Sequence, residues 1–326
     1  MERLDLQKII LGNLPLIGIS YQGKQKDEEY RKRFSNKDEM KKVMKVALKY
    51  EIKYFASSSH DFNELSPIYL NVIKELEEDE GVEIFLIPCI GIPLEIGKEK
   101  VNDYRRWATH LNYEKEKFGK EIIEKYFNDP ILNCRYNWKE NLKIAKPYNL
   151  KEIEKELKID WKKWEDSIFR FSDYRIAWIE PGSESDFIII SRIDLLEELI
   201  DRTLDIGYRV LLGSHHLGVS SSIIEEEKIR KFDGYVTPIN KLGCMMFPNK
   251  REVENSVIKI RESGKIIIAI KPFAGGRIEP KEALDYVYKK VKVDSCMVGV
   301  GSIKEAEEDF RIAKNILKNL AATKYF

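Results

Sequence analysis

Short apolar runs alternate with longer amphipathic stretches along almost the whole chain. Eight runs, at residues 14–20, 54–59, 83–91, 187–191, 209–213, 235–239, 265–270 and 296–300, have the near-continuous apolar character of strands buried on both faces. Between them apolar positions return every three or four residues, as on one face of a helix. Leu195, Leu196, Leu199, Ile200 and Leu204 form one such stripe, and Gly207 follows where the helix has to stop. Val253, Val257 and Ile260 form another before Gly264, and Ala306, Phe310, Ala313, Ile316, Leu317 and Leu320 mark the last. Eight strands, each followed by a helix, predict a closed (β/α)8 TIM barrel of the α/β class, with residues 1–326 as one domain. An open α/β sheet is the rival, but no glycine-rich phosphate loop follows the first run.

The rhythm fails once. Residues 95–175 separate the third run from the fourth, far more than one crossover helix needs. The stretch has helical periodicity and holds Trp107, Trp138, Trp161 and Trp164, four of the chain's five tryptophans. A βα insertion of this size emerges at the catalytic end of a barrel, where it is expected to form a small core of its own, a lid or a protein-contact surface. Residues 175–179 offer a second candidate for the fourth strand, either beside the run at 187–191 or in its place.

Composition narrows the partners. Apolar residues make up 43% of the chain and charged residues 34%, enough for a large core, and the net charge of +1 leaves no field to attract nucleic acid or an anionic membrane. Ile, Lys and Glu are abundant, a bias shared with proteins of heat-adapted organisms. The first ten residues, MERLDLQKII, lack the features of a signal peptide, and no apolar run reaches the ~20 residues of a membrane span, so a cytoplasmic protein is expected. The four cysteines, Cys89, Cys134, Cys244 and Cys296, are far apart and form no CxxC pair, as expected of free thiols rather than a zinc site.

Several segments resemble the aldo-keto reductase superfamily, and they occur in its order. Residues 265–277 (KIIIAIKPFAGGR) resemble its seventh strand and following loop, and residues 293–310 (VDSCMVGVGSIKEAEEDF) its eighth strand and helix. Residues 52–58 (IKYFASS) are similar to its second strand, 186–194 (DFIIISRID) to its fourth and 235–240 to its sixth. The resemblance implies a barrel with its site at the C-terminal ends of the strands, and a reductase that binds a nicotinamide. The residues for that chemistry are replaced. Where the family has Asp, Tyr, Lys and His, this chain has Ala56, Asp61, Pro88 or Cys89, and Ser191. The pair that holds the nicotinamide amide becomes His215 and His216, and the Arg and Asn around the adenosine 2′-phosphate become Glu305 and Asp309. Two carboxylates repel a 2′-phosphate, so NADPH bound in the family manner is not expected; NAD, a flavin or no nicotinamide stay open.

At the mouth of such a barrel the strand ends converge. The candidates for acid–base chemistry are His60, Asp61, His215, His216 and Lys271, the last also suited to Schiff-base formation. Ligand contacts are expected from Ser57, Ser58 and Asn240. Gly299, Gly301 and Ser302 precede a helix, so N–H groups there, with Lys304 in the first turn, are candidates to hold a phosphate. His60, Cys89 and His215 are candidates for a divalent metal. The leading expectation is a barrel that binds a small, phosphate-bearing molecule and works on it by acid–base chemistry foreign to the family. The alternatives are an NADH-dependent oxidoreductase with a displaced proton donor, and a non-catalytic ligand-binding or scaffold barrel that meets a protein through the tryptophan-rich insertion. Whether the chain is an enzyme stays open among these three.

Overall fold

The computed structural model describes residues 6–322, so the first five residues of the N-terminal stretch read above lie outside the described residues. One curved sheet of parallel strands forms the centre. Its members are β1 (Ile9–Gly12), β2 (Tyr54–Ser58), β3 (Phe85–Ile90), a broken β4 (Arg175–Ile176 and Glu180–Pro181), β5 (Leu211–Gly213), β6 (Gly234–Pro238), β7 (Ile266–Ile270) and β8 (Ser295–Gly299). The strands pair in sequence order, with β1 between β2 and β8. One isolated parallel bridge, Ile179 to Val210, joins β4 to β5 and closes the ring. Helices lie between successive strands and cover the outside, which buries both faces of each strand and explains the continuous apolar runs. The architecture is the expected (β/α)8 barrel.

Two strands are not where the runs placed them. Leu14–Ile17 is a short 3-10 turn that ends at left-handed Gly18, and β1 lies just before it. Pro15 supplies the reason, because a residue without an N–H cannot serve a central strand. Residues 187–191 belong to the helix Glu184–Ser191, and β4 is the alternative run that ends at Pro181. Phe187, Ile188 and Ile189 are all buried. A helix buried on nearly every side, with four apolar residues in a row, looks in sequence like a buried strand.

Between β3 and β4 the chain builds a cap. It contains the helices Asp103–Phe118, Glu121–Asn128, Trp138–Ile144 and Trp161–Phe169, and also a small antiparallel sheet of Glu99–Lys100, Leu94–Ile96 and Leu157–Ile159. The insertion is therefore helical, as expected, with strands added. Trp107 and Trp138 pack with Tyr126, Leu132 and Leu142 against Cys244, Met245, Phe247, Ala274 and Ile278 from the loops after β6 and β7. Polar contacts fasten the same surface: Asp129 accepts from the Met245 N–H at 2.6 Å, and Lys125 donates to the Gly243 carbonyl at 2.7 Å. Trp164 joins the barrel's outer core, with Trp161 half-buried against it. Trp107, Trp138 and Trp164 are thus buried packing residues, while Trp161 keeps part of its ring exposed. The exposed large apolar residues of the cap are Tyr136, Ile144 and Phe169. No helix among the described residues is long and apolar enough to cross a membrane.

Candidate functional site

Side chains alternate along a strand, so parity decides what enters the barrel. Ile10, Tyr54, Ala56, Ile87, Leu211, Val236, Ile268 and Met297 fill the interior. Two residues further on, the same strand faces carry Ser58, Cys89, Gly213, Pro238, Ile270 and Gly299 into the mouth.

On β4 the parity is broken. Leu86 pairs with Ile176 and Cys89 with Glu180, so residues 87–88 of β3 face residues 177–179 of β4. This is a β-bulge, and it turns every later residue of the strand to the opposite face. Without the extra residue Glu180 would point out at the helices. With it, the carboxyl enters the barrel beside Cys89. Gly213 on β5 leaves the room, since a Cβ there would lie 2.9 Å from Glu180 Oε1 and 2.7 Å from the Pro181 carbonyl oxygen.

Glu180 is 7% exposed. Burial pushes its carboxyl up to about 7, against the opposing pull of a hydrogen bond from the Cys89 thiol and the charge of Lys271. Burial and the neighbouring Glu180 charge hold that thiol well above the usual cysteine range, so it stays protonated and donates.

Lys271 enters by a second local distortion. Ile270 ends β7 facing inward, so a continued strand would turn the next side chain outward. Lys271 instead adopts a φ of 56°, in the left-handed region that costs energy for any residue with a side chain. In this conformation its Nζ lies 3.3 Å from His215 Nε2 and 5.2 Å from the centre of the Tyr21 ring.

His215 follows β5 and stacks on Trp107 of the cap, with 6.0 Å between ring centres. Burial, with the Lys271 charge next, holds the imidazole well below the usual histidine range, so it is neutral. An ammonium that donates to Nε2 leaves the ring proton on Nδ1. That Nδ1 is buried and without a partner among the described residues.

A second polar network lies behind this face. Asp186 is fully buried and accepts from the Ser214 and Ser220 hydroxyls, each at 2.6 Å, and from the N–H groups of His215 and His216 at 2.7 and 3.2 Å. His216 Nδ1 meets Glu114 at 2.8 Å, and Glu114 also accepts from the Tyr126 hydroxyl at 2.7 Å. The His216 ring stacks on His110 at 3.8 Å. These contacts fasten the helix Asp103–Phe118 to the chain after β5, which places His216 in the cap joint rather than in the mouth.

The remaining candidates divide differently. His60 is half-buried after β2, while exposed Asp61 lies 3.8 Å from Arg170 of the cap, and no hydrogen bond or ring contact brings either to His215. Among the described residues no three His, Cys, Asp or Glu side chains are grouped to hold a metal, so His60, Cys89 and His215 do not form the expected site. Asn240 is buried and bonds both the N–H and the carbonyl of Cys244, each at 2.9 Å, so it holds a loop instead of facing a ligand. Ser58 accepts from Asn13 at 3.0 Å, and the Ser57 hydroxyl is buried without a partner on the outward face of β2.

The turn at Gly299, Gly301 and Ser302 is already filled, by a carboxylate of the chain itself. Glu305 accepts from the Gly301 N–H at 2.8 Å, and Ser302 accepts from the Glu305 N–H at 3.2 Å. This is a capping box, and its carboxylate sits where a phosphate was expected, while Lys304 stays exposed. Beside it, burial and the charges of Glu305 and Glu308 push Asp309 up to about 7. Arg277, in the loop that covers the cofactor pyrophosphate in the reductases, is bonded to the Tyr21 carbonyl at 2.9 Å and the Pro130 carbonyl at 3.3 Å. These residues do not fit NADPH in the family manner.

No family model matches the sequence, and no curated protein does. Solved structures do match. An aldo-keto reductase candidate from Pseudomonas aeruginosa aligns over 96% of this chain and 91% of its own, at 11% identity and a TM-score of 0.51. A second structure described in the same terms, from the same organism, has the same coverage and identity and a TM-score of 0.50. At this identity the likeness carries the fold and leaves the reaction aside. The chain shares its (β/α)8 barrel fold with these structures.

Proposed function

We propose that the protein is an acid–base enzyme acting on a small molecule in the capped mouth, with Glu180 as the group that gives and takes the proton. The observation that carries this reading is the Glu180 carboxyl, aimed inward by the bulge and pushed up to about 7. A group that titrates near neutral pH is present in both of its forms, as general acid–base catalysis requires. Lys271 and His215 add N–H donors across the mouth, suited to an oxygen that gains negative charge as a proton leaves the adjacent carbon. A small carbonyl compound is the substrate class that uses both features. The reading needs no phosphate handle, and Glu305 already accepts from the Gly301 N–H of the turn where one was expected.

Proton exchange in D2O tests this reading. Small ketones, aldehydes and hydroxycarbonyl compounds are followed by proton NMR with the wild-type protein and with Glu180→Gln. The wild type is expected to exchange the α-proton of at least one compound, with a rate that steps near pH 7. Glu180→Gln is expected to slow that exchange by about 100-fold or more. Exchange indifferent to the substitution, or none across the whole set, overturns the reading.

A further inference from the structure

We propose that Lys271 is a covalent nucleophile, which forms an imine with a small aldehyde or ketone held between Glu180 and His215. The proposal deepens the acid–base reading and rests on it. Lys271 differs from the surface lysines in what it touches. Lys41, Lys125 and Lys231 each bond a carboxylate, whereas Lys271 is in no ion pair among the described residues and its polar neighbour is a neutral imidazole nitrogen. Such a nitrogen carries no negative charge that would fasten Nζ in an ion pair. His215 Nδ1, on the other side of the ring, is buried and has no partner among the described residues.

The backbone adds an independent argument. The left-handed conformation at Lys271 is the first in a series that includes Ala274, Gly275 and Gly276. Strain at a residue with a side chain persists where its surroundings demand that position, and such positions gather at reacting centres. The cap contributes as well: Trp107, 1% exposed, lies flat against His215 and keeps water from that side.

The chemistry balances with the groups present. Half-buried Lys271 first gives one proton of its ammonium to water at the mouth; Nζ then attacks the carbonyl carbon, and the C=O π pair moves to oxygen, which takes the proton of Glu180. Nζ then gives a proton to the Glu180 carboxylate, which leaves a neutral carbinolamine. Glu180 returns that proton to the hydroxyl, the C–O bond breaks with loss of water, and the nitrogen lone pair closes the C=N bond; the protonated imine then gives its N–H proton to the Glu180 carboxylate. An amine and a carbonyl become an imine and water, and nothing is oxidised or reduced.

Reductive trapping tests it. The full chain is incubated with pyruvate, glycolaldehyde or dihydroxyacetone and sodium cyanoborohydride, then analysed by intact mass and by peptide mapping. The expected result is one adduct on the peptide that holds Lys271, about tenfold or more above any other lysine. Lys271→Arg and Lys271→Met, each checked for folding by near-ultraviolet circular dichroism, are expected to lose it. Adducts spread evenly over surface lysines, or no adduct while Glu180-dependent exchange persists, overturn the imine and leave the acid–base reading standing. Absence of both adduct and exchange overturns the two together.

Discussion

Glu180 and Asp186 stand on either side of the turn that ends β4, and both carboxyls are buried, yet their surroundings are opposite. Asp186 accepts from two hydroxyls and two backbone N–H groups. Glu180 receives a thiol hydrogen bond and the field of one lysine. A carboxylate with its acceptor sites filled acts as a fastening, because each bond offsets part of its desolvation. A carboxyl left nearly bare in the same barrel holds its proton instead, and so becomes a group that can exchange it. The two are also connected. Two of the donors to Asp186 are the N–H groups of His215 and His216, so the structural carboxylate positions the imidazole that Lys271 touches.

Substitutions at the two positions should therefore fail in different ways. The largest effect is expected from Asp186→Ala, which strands two buried hydroxyls and two N–H groups; urea denaturation should show a loss of about 3–5 kcal/mol. A loss below about 1 kcal/mol would mean that this carboxylate does not organise the segment. Glu180→Gln should show a smaller, pH-dependent effect of opposite sign. The folded carboxyl, at about 7, lies above its ordinary value of 4.5, so between these pH values the folded protein keeps a proton that the unfolded chain releases. Its contribution to stability is complete below the ordinary value and is lost as pH rises through 7, by roughly 3 kcal/mol in all. The glutamine variant has no such proton to lose. At pH 8 it should be the more stable protein, while at pH 4 the two should be nearly level. Equal stability at both pH values would erase the contrast with Asp186.

The barrel was legible in the sequence because parallel strands covered by helices leave apolar runs, and eight of them alternate here with amphipathic stretches. The two misplaced strands have separate causes. In residues 9–20 the apolar run outlasts the strand, and Pro15 alone tells which part can pair. In residues 187–191 the helix is buried on nearly every side, so its 3.6-residue period is silent. His215 and Lys271 were found because they directly follow strand runs. Glu180 was hidden, since a bulge changes the face of a residue without changing the pattern around it. One signal was nevertheless present: Pro181 and Gly182 come one residue after the alternative run at 175–179 and mark the strand end beside Glu180. The occupied turn after β8 was readable too, since Ser302 and Glu305 have the spacing of a capping box before an apolar helix.

The closure of the barrel has a consequence for how the ring moves. Five paired positions join β6 to β7, and five join β2 to β3, whereas β4 and β5 meet at the lone bridge between Ile179 and Val210. Separating a five-rung ladder breaks many bonds at once; parting this seam breaks very few. Deuterium should therefore reach the amides of Ile179 and Leu211, which bond across the seam at 2.8 and 3.0 Å, well before those of Val236 and Thr237. Glu180 sits directly beside the seam. A join of one bridge thus borders Glu180, so an opening of the wall at this place would reach its carboxyl before any five-rung ladder parts.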